Sequence, residues 1–234
     1  MAKKVFIILA TVQILFVQPV HPATVAIIND GIAIKKSVKS WTEFRDENVI
    51  KQKYDFSCGT SSLATILRYF FNEDIDEKVI LDYLLKERGL EGTKKLKRED
   101  IALSFKDLQE YAGKRGYKAA GLAMPLESLR NLKVPAIVYL EIRQYQHFSV
   151  YRGMDERYVY LADPSFGNMK IRIDKFKEEF YTRGDSAHPG KVLVLIPQDE
   201  EKKKNINKRF MAAGGDSRLV YEVIKDKTVM NEIR

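Results

Sequence analysis

The stretch Gln52-Lys-Tyr-Asp-Phe-Ser-Cys58-Gly59 contains the only cysteine among the 234 residues of the chain. It runs directly into a segment whose apolar residues recur at intervals of three and four, the spacing of one buried helix face. Those apolar residues are Leu63, Ile66, Leu67, Phe70 and Phe71. The pattern therefore predicts a helix with Cys58 at its start.

A cysteine at the start of a helix has two interpretations. The unsatisfied N–H groups and the positive dipole end of the helix favour a thiolate, which makes Cys58 a candidate nucleophile. Ser57 is a typical N-cap residue, and Gly59 is expected to leave the backbone beside the sulfur uncrowded. The alternative is a small buried core residue, because free cysteine is among the most frequently buried residue types.

The N-terminal residues have the pattern of a secretory signal. Lys3 and Lys4 precede an apolar run at residues 5–17, and small residues follow it. Residues 1–26 are therefore predicted to be a signal peptide, cut after Ala23 or Ala26, with an uncleaved membrane anchor as the alternative. We expect a periplasmic or secreted protein, in which a single cysteine leaves no internal disulfide.

Composition and charge narrow the class of protein. Hydrophobic residues make up 45% of the chain, which is enough for one domain with a substantial core. The net charge of +8 is a modest excess, and no nucleic-acid-binding motif accompanies it. We expect no nucleic-acid partner, and contact with a membrane only through an uncleaved signal.

The order of predicted elements is helices first and strands second. Helices are predicted at residues 60–71, 76–88, 104–114 and 174–181, and the second of these is expected to bury Val79, Ile80, Tyr83 and Leu84. Strands are predicted at residues 117–124, 135–142, 147–152, 157–162, 169–173 and 191–196. This order predicts an α+β domain with N-terminal helices packed on an antiparallel sheet.

Changes in composition suggest the domain boundaries. Residues 27–48 are predicted to form an N-terminal arm with a short strand at Ile32–Val38, and residues 49–197 the domain itself. Four basic residues predict an exposed loop at residues 93–100. Residues 198–234 are predicted to be a polar linker and C-terminal extension, with one further strand at residues 217–224.

Few residues could serve Cys58 as a base. Of the three histidines, His21 lies in the predicted signal and His188 in a turn, which leaves His147 at the start of an apolar strand. Asp163 ends the next strand, and antiparallel pairing would place it beside the start of the His147 strand. Its carboxylate could then orient the imidazole. An ordinary turn is the alternative for Asp163-Pro-Ser-Phe-Gly, and Asp163 could serve both purposes.

Gln52 is the candidate for stabilising negative charge. Its side-chain amide, together with the Cys58 backbone N–H, could donate to the oxygen that becomes negative when a thiolate attacks a carbonyl. By itself a glutamine at this position indicates nothing.

Taken in order, these motifs resemble the double-glycine-leader, or bacteriocin-processing, cysteine peptidase family over residues 49–197. The resemblance rests on Gln52 before Cys58-Gly59, on Pro135-Ala-Ile, on His147-Phe and on Asp163-Pro-Ser-Phe-Gly. It implies a papain-like fold, a triad of Cys58, His147 and Asp163, and Gln52 in the oxyanion hole. It also implies a peptide or protein substrate and no requirement for a metal or organic cofactor.

The chain departs from the best-known form of that family, which is the N-terminal part of a transporter. It has neither the transporter's membrane spans nor a Gly-x-x-x-x-Gly-Lys phosphate motif. We therefore expect a stand-alone exported endopeptidase that cuts after small or Gly-Gly residues, with a secretion-system component, such as that of a functional amyloid, as candidate partner. The alternatives are a non-catalytic peptide-binding module of a secretion assembly, and a transglutaminase or amidase with the same triad.

Overall fold

The computed structural model describes residues 23–29, 32–92 and 101–211, with side chains from Lys39 onward, and it divides the chain after Ser40 into two compact units. In the first unit, strand β1 (Ala23–Asn29) pairs antiparallel with β2 (Ile32–Val38). The predicted strand at Ile32–Val38 is thus confirmed. The predicted signal lies outside the described residues up to residue 22, and its cleavage stays a prediction.

The second unit begins with helices, as expected. The helix predicted after residues 52–59 starts at Cys58, as expected. The next two begin behind the capping residues Asp76 and Ser104, whose side chains accept from Val79 N–H and Asp107 N–H. The helices are α1 (Trp41–Asp46), α2 (Cys58–Tyr69), α3 (Glu77–Glu87), α4 (Phe105–Lys114), α5 (Leu126–Arg130), α6 (Ile173–Phe180) and α7 (Glu200–Lys204).

Six strands form one antiparallel sheet in the order β3-β8-β4-β5-β6-β7. Their bounds are β3 (Tyr117–Met124), β4 (Ala136–Ile142), β5 (Tyr145–Met154), β6 (Tyr158–Asp163), β7 (Gly167–Arg172) and β8 (Gly190–Pro197). Each strand predicted in this part of the chain is present. The expected α+β architecture of helices on an antiparallel sheet is confirmed.

The two faces of this sheet are covered by different helices. On one face α2 packs against β4, β5 and β6, and the core there includes Leu63, Ile66, Val150 and Ala162. On the other face α6 packs against β4, β6 and β7 through Phe176 and other apolar residues. Val150 of β5 pairs with Ala162 of β6, so the middle of β5 lies beside the end of β6.

Two local predictions around the helices are wrong. The Ser57 side chain does not cap α2, because its hydroxyl contacts the N–H and C=O of Tyr54, at 3.2 and 2.8 Å, in the preceding turn. At Gly59 the lack of a side chain matters, because a Cβ would come 3.2 Å from the Phe148 ring. Val79 is 52% exposed, and Leu81 takes its expected place on the buried face of α3.

The predicted polar linker packs on the domain through a segment that we call the C-terminal strap (residues 199–211). The strap contains α7 and a 3-10 turn (Lys208–Phe210) that buries Phe210 beside Phe70. Asn207 covers the end of α2, since its backbone N–H and Nδ2 donate to Phe70 O at 2.8 Å and Tyr69 O at 3.0 Å. Residues of the predicted linker and extension therefore contact the domain through Phe210 and Asn207.

Two further predictions, the loop at 93–100 and the strand at 217–224, lie outside the described residues and stay predictions. In the part of the chain that is described, no helix combines the length and apolar character needed to cross a membrane.

Candidate active site

Cys58 is the first residue of α2 and is a buried free thiol, with 7% of its surface exposed. The backbone N–H groups of a first helical turn have no intrahelical acceptors, and this turn contains no acidic residue. The thiol therefore lies where N–H dipoles favour negative charge. The expected burial of Cys58 is confirmed, and its role as nucleophile stays a prediction.

His147 lies near the start of β5 and connects Cys58 to Asp163. Its Nε2 lies 2.8 Å from Asp163 Oδ2, and Cys58 is near enough to the ring to help raise the pKa of His147. With Nε2 directed to Asp163, Nδ1 is the ring nitrogen left for the sulfur. The structure thus brings together the thiol, imidazole and carboxylate predicted from the sequence.

The surroundings of His147 favour its protonated form. Burial alone would lower the pKa of the imidazole, but its hydrogen bonds to Asp163 and Cys58, and their charges, outweigh burial and raise that pKa to about 10. At neutral pH the imidazolium is therefore the favoured state.

Asp163 is 1% exposed and uses both carboxylate oxygens. Oδ2 faces His147, and Oδ1 accepts the N–H groups of Ser165 at 2.8 Å and Phe166 at 3.0 Å. Burial would raise the pKa of Asp163, but its hydrogen bond to His147 and the charge of that ring hold it below the usual value. Asp163 is both a turn residue and the partner of His147, so the two alternatives coincide.

Gln52 lies against the turn that contains Asp163. Its backbone N–H donates to Pro164 O at 3.0 Å, and its side-chain Oε1 accepts from Ser165 Oγ at 2.8 Å. Its Nε2 donates to Tyr54 O at 3.0 Å, which leaves one amide N–H for another acceptor. Gln52 therefore belongs to the same site, beside the start of α2.

Three further residues of the site were not predicted from the sequence. Lys51 Nζ donates to Ser165 O at 2.5 Å, and the carboxylate of Glu77, which is 1% exposed, accepts the Lys53 N–H at 3.0 Å. Ser165 joins Gln52 to the Asp163 turn. Only Ser165 had a signal, as part of the Asp163-Pro-Ser motif, and that motif does not indicate what its hydroxyl contacts.

In the described residues, no group of three or more His, Cys, Asp or Glu side chains is arranged to hold a metal ion. A buried thiol, an imidazole with a raised pKa and an ionised carboxylate are the functional groups of a cysteine hydrolase, which attacks carbonyl carbon through a thiolate. The fold and the site thus define the class of papain-like cysteine hydrolases.

Comparison with known proteins identifies the family. The Peptidase C39 family matches residues 46–183, which is more than half of the chain. The chain belongs to the peptidase C39 family of cysteine peptidases. The family expected from the motifs is confirmed.

The curated relatives include two proteins named probable functional amyloid protease FapD. The chain is 36% identical to that of Pseudomonas fluorescens over 62% of this chain and 62% of the relative, which is less than two thirds of the relative's length. It is 34% identical to that of Pseudomonas aeruginosa over 72% of this chain and 74% of the relative.

The solved structures include a double glycine motif protease from an AMS/PCAT transporter, in complex with the leader peptide. That protease is 25% identical, with 64% of this chain and 90% of the other covered, at a TM-score of 0.48.

Proposed function

We propose that the protein is an exported cysteine endopeptidase in which Cys58 attacks a peptide bond of a secreted peptide or protein. The observation that carries this proposal is the hydrogen bond of His147 to the buried Asp163, with the thiol of Cys58 near the same ring at the start of α2. Membership of a peptidase family supports the reaction type.

In the proposed reaction, the Cys58 thiolate forms a bond to the carbonyl carbon of the peptide. The C–N bond then breaks, and the leaving amine takes the proton of the His147 imidazolium. His147, now neutral, accepts a proton from the water that attacks the thioester, and the acid product leaves as the thiolate is restored. The raised pKa of His147 supports its role as the acid in the first half of the reaction.

Asp163 and Gln52 have supporting roles in this proposal. Asp163 holds the Nε2 side of the ring, which fixes the tautomer and leaves Nδ1 toward the sulfur. The free amide N–H of Gln52 and the Cys58 backbone N–H donate to the oxyanion. Loss of one such donor in studied hydrolases costs on the order of 10²–10³ in rate.

The proposed substrate is a component of a functional-amyloid or related secretion system, cut after small or Gly-Gly residues. The name of the two FapD relatives supports the amyloid context, and the family resemblance supports the small residues. The signal predicted at residues 1–26 supports an exported location. N-terminal sequencing of protein recovered from the cell envelope tests export, and a mature N-terminus directly after residue 23 or 26 is the expected result.

Peptide profiling by mass spectrometry tests the activity and the cleavage preference together. A peptide library is incubated with the wild type and with Cys58→Ala, and new termini are identified. We expect cleavage by the wild type alone, with glycine or alanine before the cut. Cleavage after other residues would contradict the proposed preference. If the wild type cleaves no more than the variant, the peptide-binding module becomes the better account.

A further inference from the structure

Ser165 is the one residue of the Asp163 turn whose backbone contacts Asp163 while its side chain contacts Gln52. Its N–H donates to Asp163 Oδ1 at 2.8 Å, and its Oγ lies 2.8 Å from Gln52 Oε1. Asp163 holds His147 through its other oxygen. A single serine therefore connects the carboxylate of the triad to the amide proposed as oxyanion donor.

The directions of these hydrogen bonds follow from the chemistry of the partners. The carbonyl oxygen of Tyr54 can only accept, so the Gln52 amide atom that faces it at 3.0 Å must be the nitrogen. The amide oxygen then faces Ser165, and because that oxygen also only accepts, the Ser165 hydroxyl must donate. The amide is held at both ends, which fixes its plane and the direction of its second N–H.

We propose that Ser165 is a positioning residue that fixes the Gln52 amide for oxyanion stabilisation. This inference rests on the proposed function, since the direction of that N–H matters only if a carbonyl oxygen becomes negative at the site. A donor that is already oriented stabilises the transition state without reorganising when the charge develops. Without the Ser165 hydroxyl, only the bond to Tyr54 O restrains the amide.

The turn has other supports that do not involve the Ser165 hydroxyl. The Asp163 carboxylate accepts the N–H groups of Ser165 and Phe166, and Lys51 Nζ donates to Ser165 O at 2.5 Å. The Gln52 N–H donates to Pro164 O. Ser165→Ala therefore removes the anchor of the amide while the backbone contacts of the turn remain.

Two reactions of Cys58 distinguish a Ser165 that orients the Gln52 amide from a Ser165 that only supports the fold. Acylation by N-benzyloxycarbonyl-glycine 4-nitrophenyl ester passes through an oxyanion, whereas alkylation by iodoacetamide occurs at a saturated carbon and forms none. We expect Ser165→Ala to slow the 4-nitrophenolate burst about tenfold, the rate change that corresponds to about one hydrogen bond. The alkylation rate and the pH profile should match the wild type, and Ser165→Thr should restore the burst.

A double-mutant cycle tests whether Ser165 acts through Gln52. In a Gln52→Ala background, Ser165→Ala is expected to cause no further loss in the burst rate. Ser128→Ala, which removes an exposed hydroxyl on α5, is the matched control and should leave both reactions unchanged.

The results that would overturn the inference differ from those that would overturn the proposed function. An active wild type with an equally active Ser165→Ala variant contradicts the role of Ser165. Two other results would also contradict it. One is a loss of burst rate on Ser165→Ala that is as large in the Gln52→Ala background as in the wild type. The other is an alkylation rate that falls along with the burst rate. If the wild type releases 4-nitrophenolate no faster than Cys58→Ala, the proposed function fails and the role of Ser165 fails with it.

Discussion

At the scale of single residues, the proton on His147 controls the expected pH dependence. The pKa of about 10 means that the imidazolium persists at neutral pH and is lost as the pH rises through that value. Asp163→Asn removes a charge and a hydrogen bond that raise this pKa. We therefore expect the alkaline limb of kcat/KM for peptide cleavage to move to lower pH in Asp163→Asn. An alkaline limb at the same pH in both proteins would contradict the assigned ion pair.

Sequence could identify the reacting residues because their types are rare in this chain or belong to an ordered motif. One cysteine and three histidines leave few combinations, and only Cys58 with His147 suits adjacent elements. Ser165, Lys51 and Glu77 are common residue types, and their contacts form when distant segments fold together. Ser165 lies 113 residues from Gln52, so no local pattern could indicate their hydrogen bond.

At the scale of elements, the first turn of α2 is packed tightly against β5. A Cβ at Gly59 would come 3.2 Å from Phe148 Cδ2 and 3.5 Å from Leu103 and Leu108. Gly59→Ala is therefore expected to shift Cys58 relative to His147, with a stability loss of about 1–3 kcal/mol from overpacking. Slower iodoacetamide alkylation and a lower Tm are the expected measurements.

Gly113→Ala is the matched control for this substitution. Gly113 lies on α4 with no atom within 4 Å of the added Cβ, and alanine has the higher helix propensity. The free energy of unfolding of the Gly113→Ala variant should rise by roughly 0.5–1 kcal/mol, and its alkylation rate should be unchanged. If Gly59→Ala and Gly113→Ala had the same Tm and the same alkylation rate, the proposed packing role of Gly59 would be contradicted.

Periodicity predicted where elements lie but not their details. The start of α2 and the strands around His147 were predictable, because they follow from apolar spacing. The turn between β4 and β5 was not, since Arg143 and Gln144 adopt positive φ angles of 49° and 70°, a conformation that usually selects glycine or asparagine. The Ser57 hydroxyl likewise hydrogen-bonds the backbone of Tyr54 and does not cap α2 as expected.

At the scale of the whole molecule, the C-terminal strap is part of the core. Phe210 is 1% exposed, and the Arg152 side chain contacts it twice, by donating from Nε to Phe210 O at 2.7 Å and by stacking on its ring. Phe210→Ala is expected to lower the free energy of unfolding by about 3–5 kcal/mol.

Val79→Ala provides the comparison, because Val79 is 52% exposed and should change stability by no more than about 0.5 kcal/mol. Denaturant unfolding measures both variants. Equal midpoints would mean that the strap contributes nothing to the fold.

The strap also introduces a pH dependence through Glu73. Burial would raise the pKa of this carboxyl, but its hydrogen bonds to Lys202, Tyr117 and Arg115 lower it below the usual value. A carboxyl whose pKa is lowered on folding stabilises the protein above its unfolded value near 4.5, and this is lost as the pH falls through the folded value. Glu73→Gln should therefore flatten the decline of Tm with acidification.

The strap could not be predicted from composition, because most of its side chains are polar and its single buried aromatic residue gives no periodic signal. Its function in the fold depends on Asn207 meeting the last carbonyls of α2, a contact across more than 130 residues. The sheet could be predicted strand by strand, but the position of β8 between β3 and β4 is a property of the folded chain.

The most direct test of the central claim is to trap the covalent intermediate on Cys58. The protein is mixed with N-benzyloxycarbonyl-glycine 4-nitrophenyl ester, quenched in acid within the first turnover, and examined by intact-mass measurement and peptide mapping. We expect one acyl group on Cys58 in the wild type, and a much slower appearance of it in His147→Ala. An unmodified Cys58, or an acyl group on another residue, would contradict the assignment of Cys58 as the nucleophile.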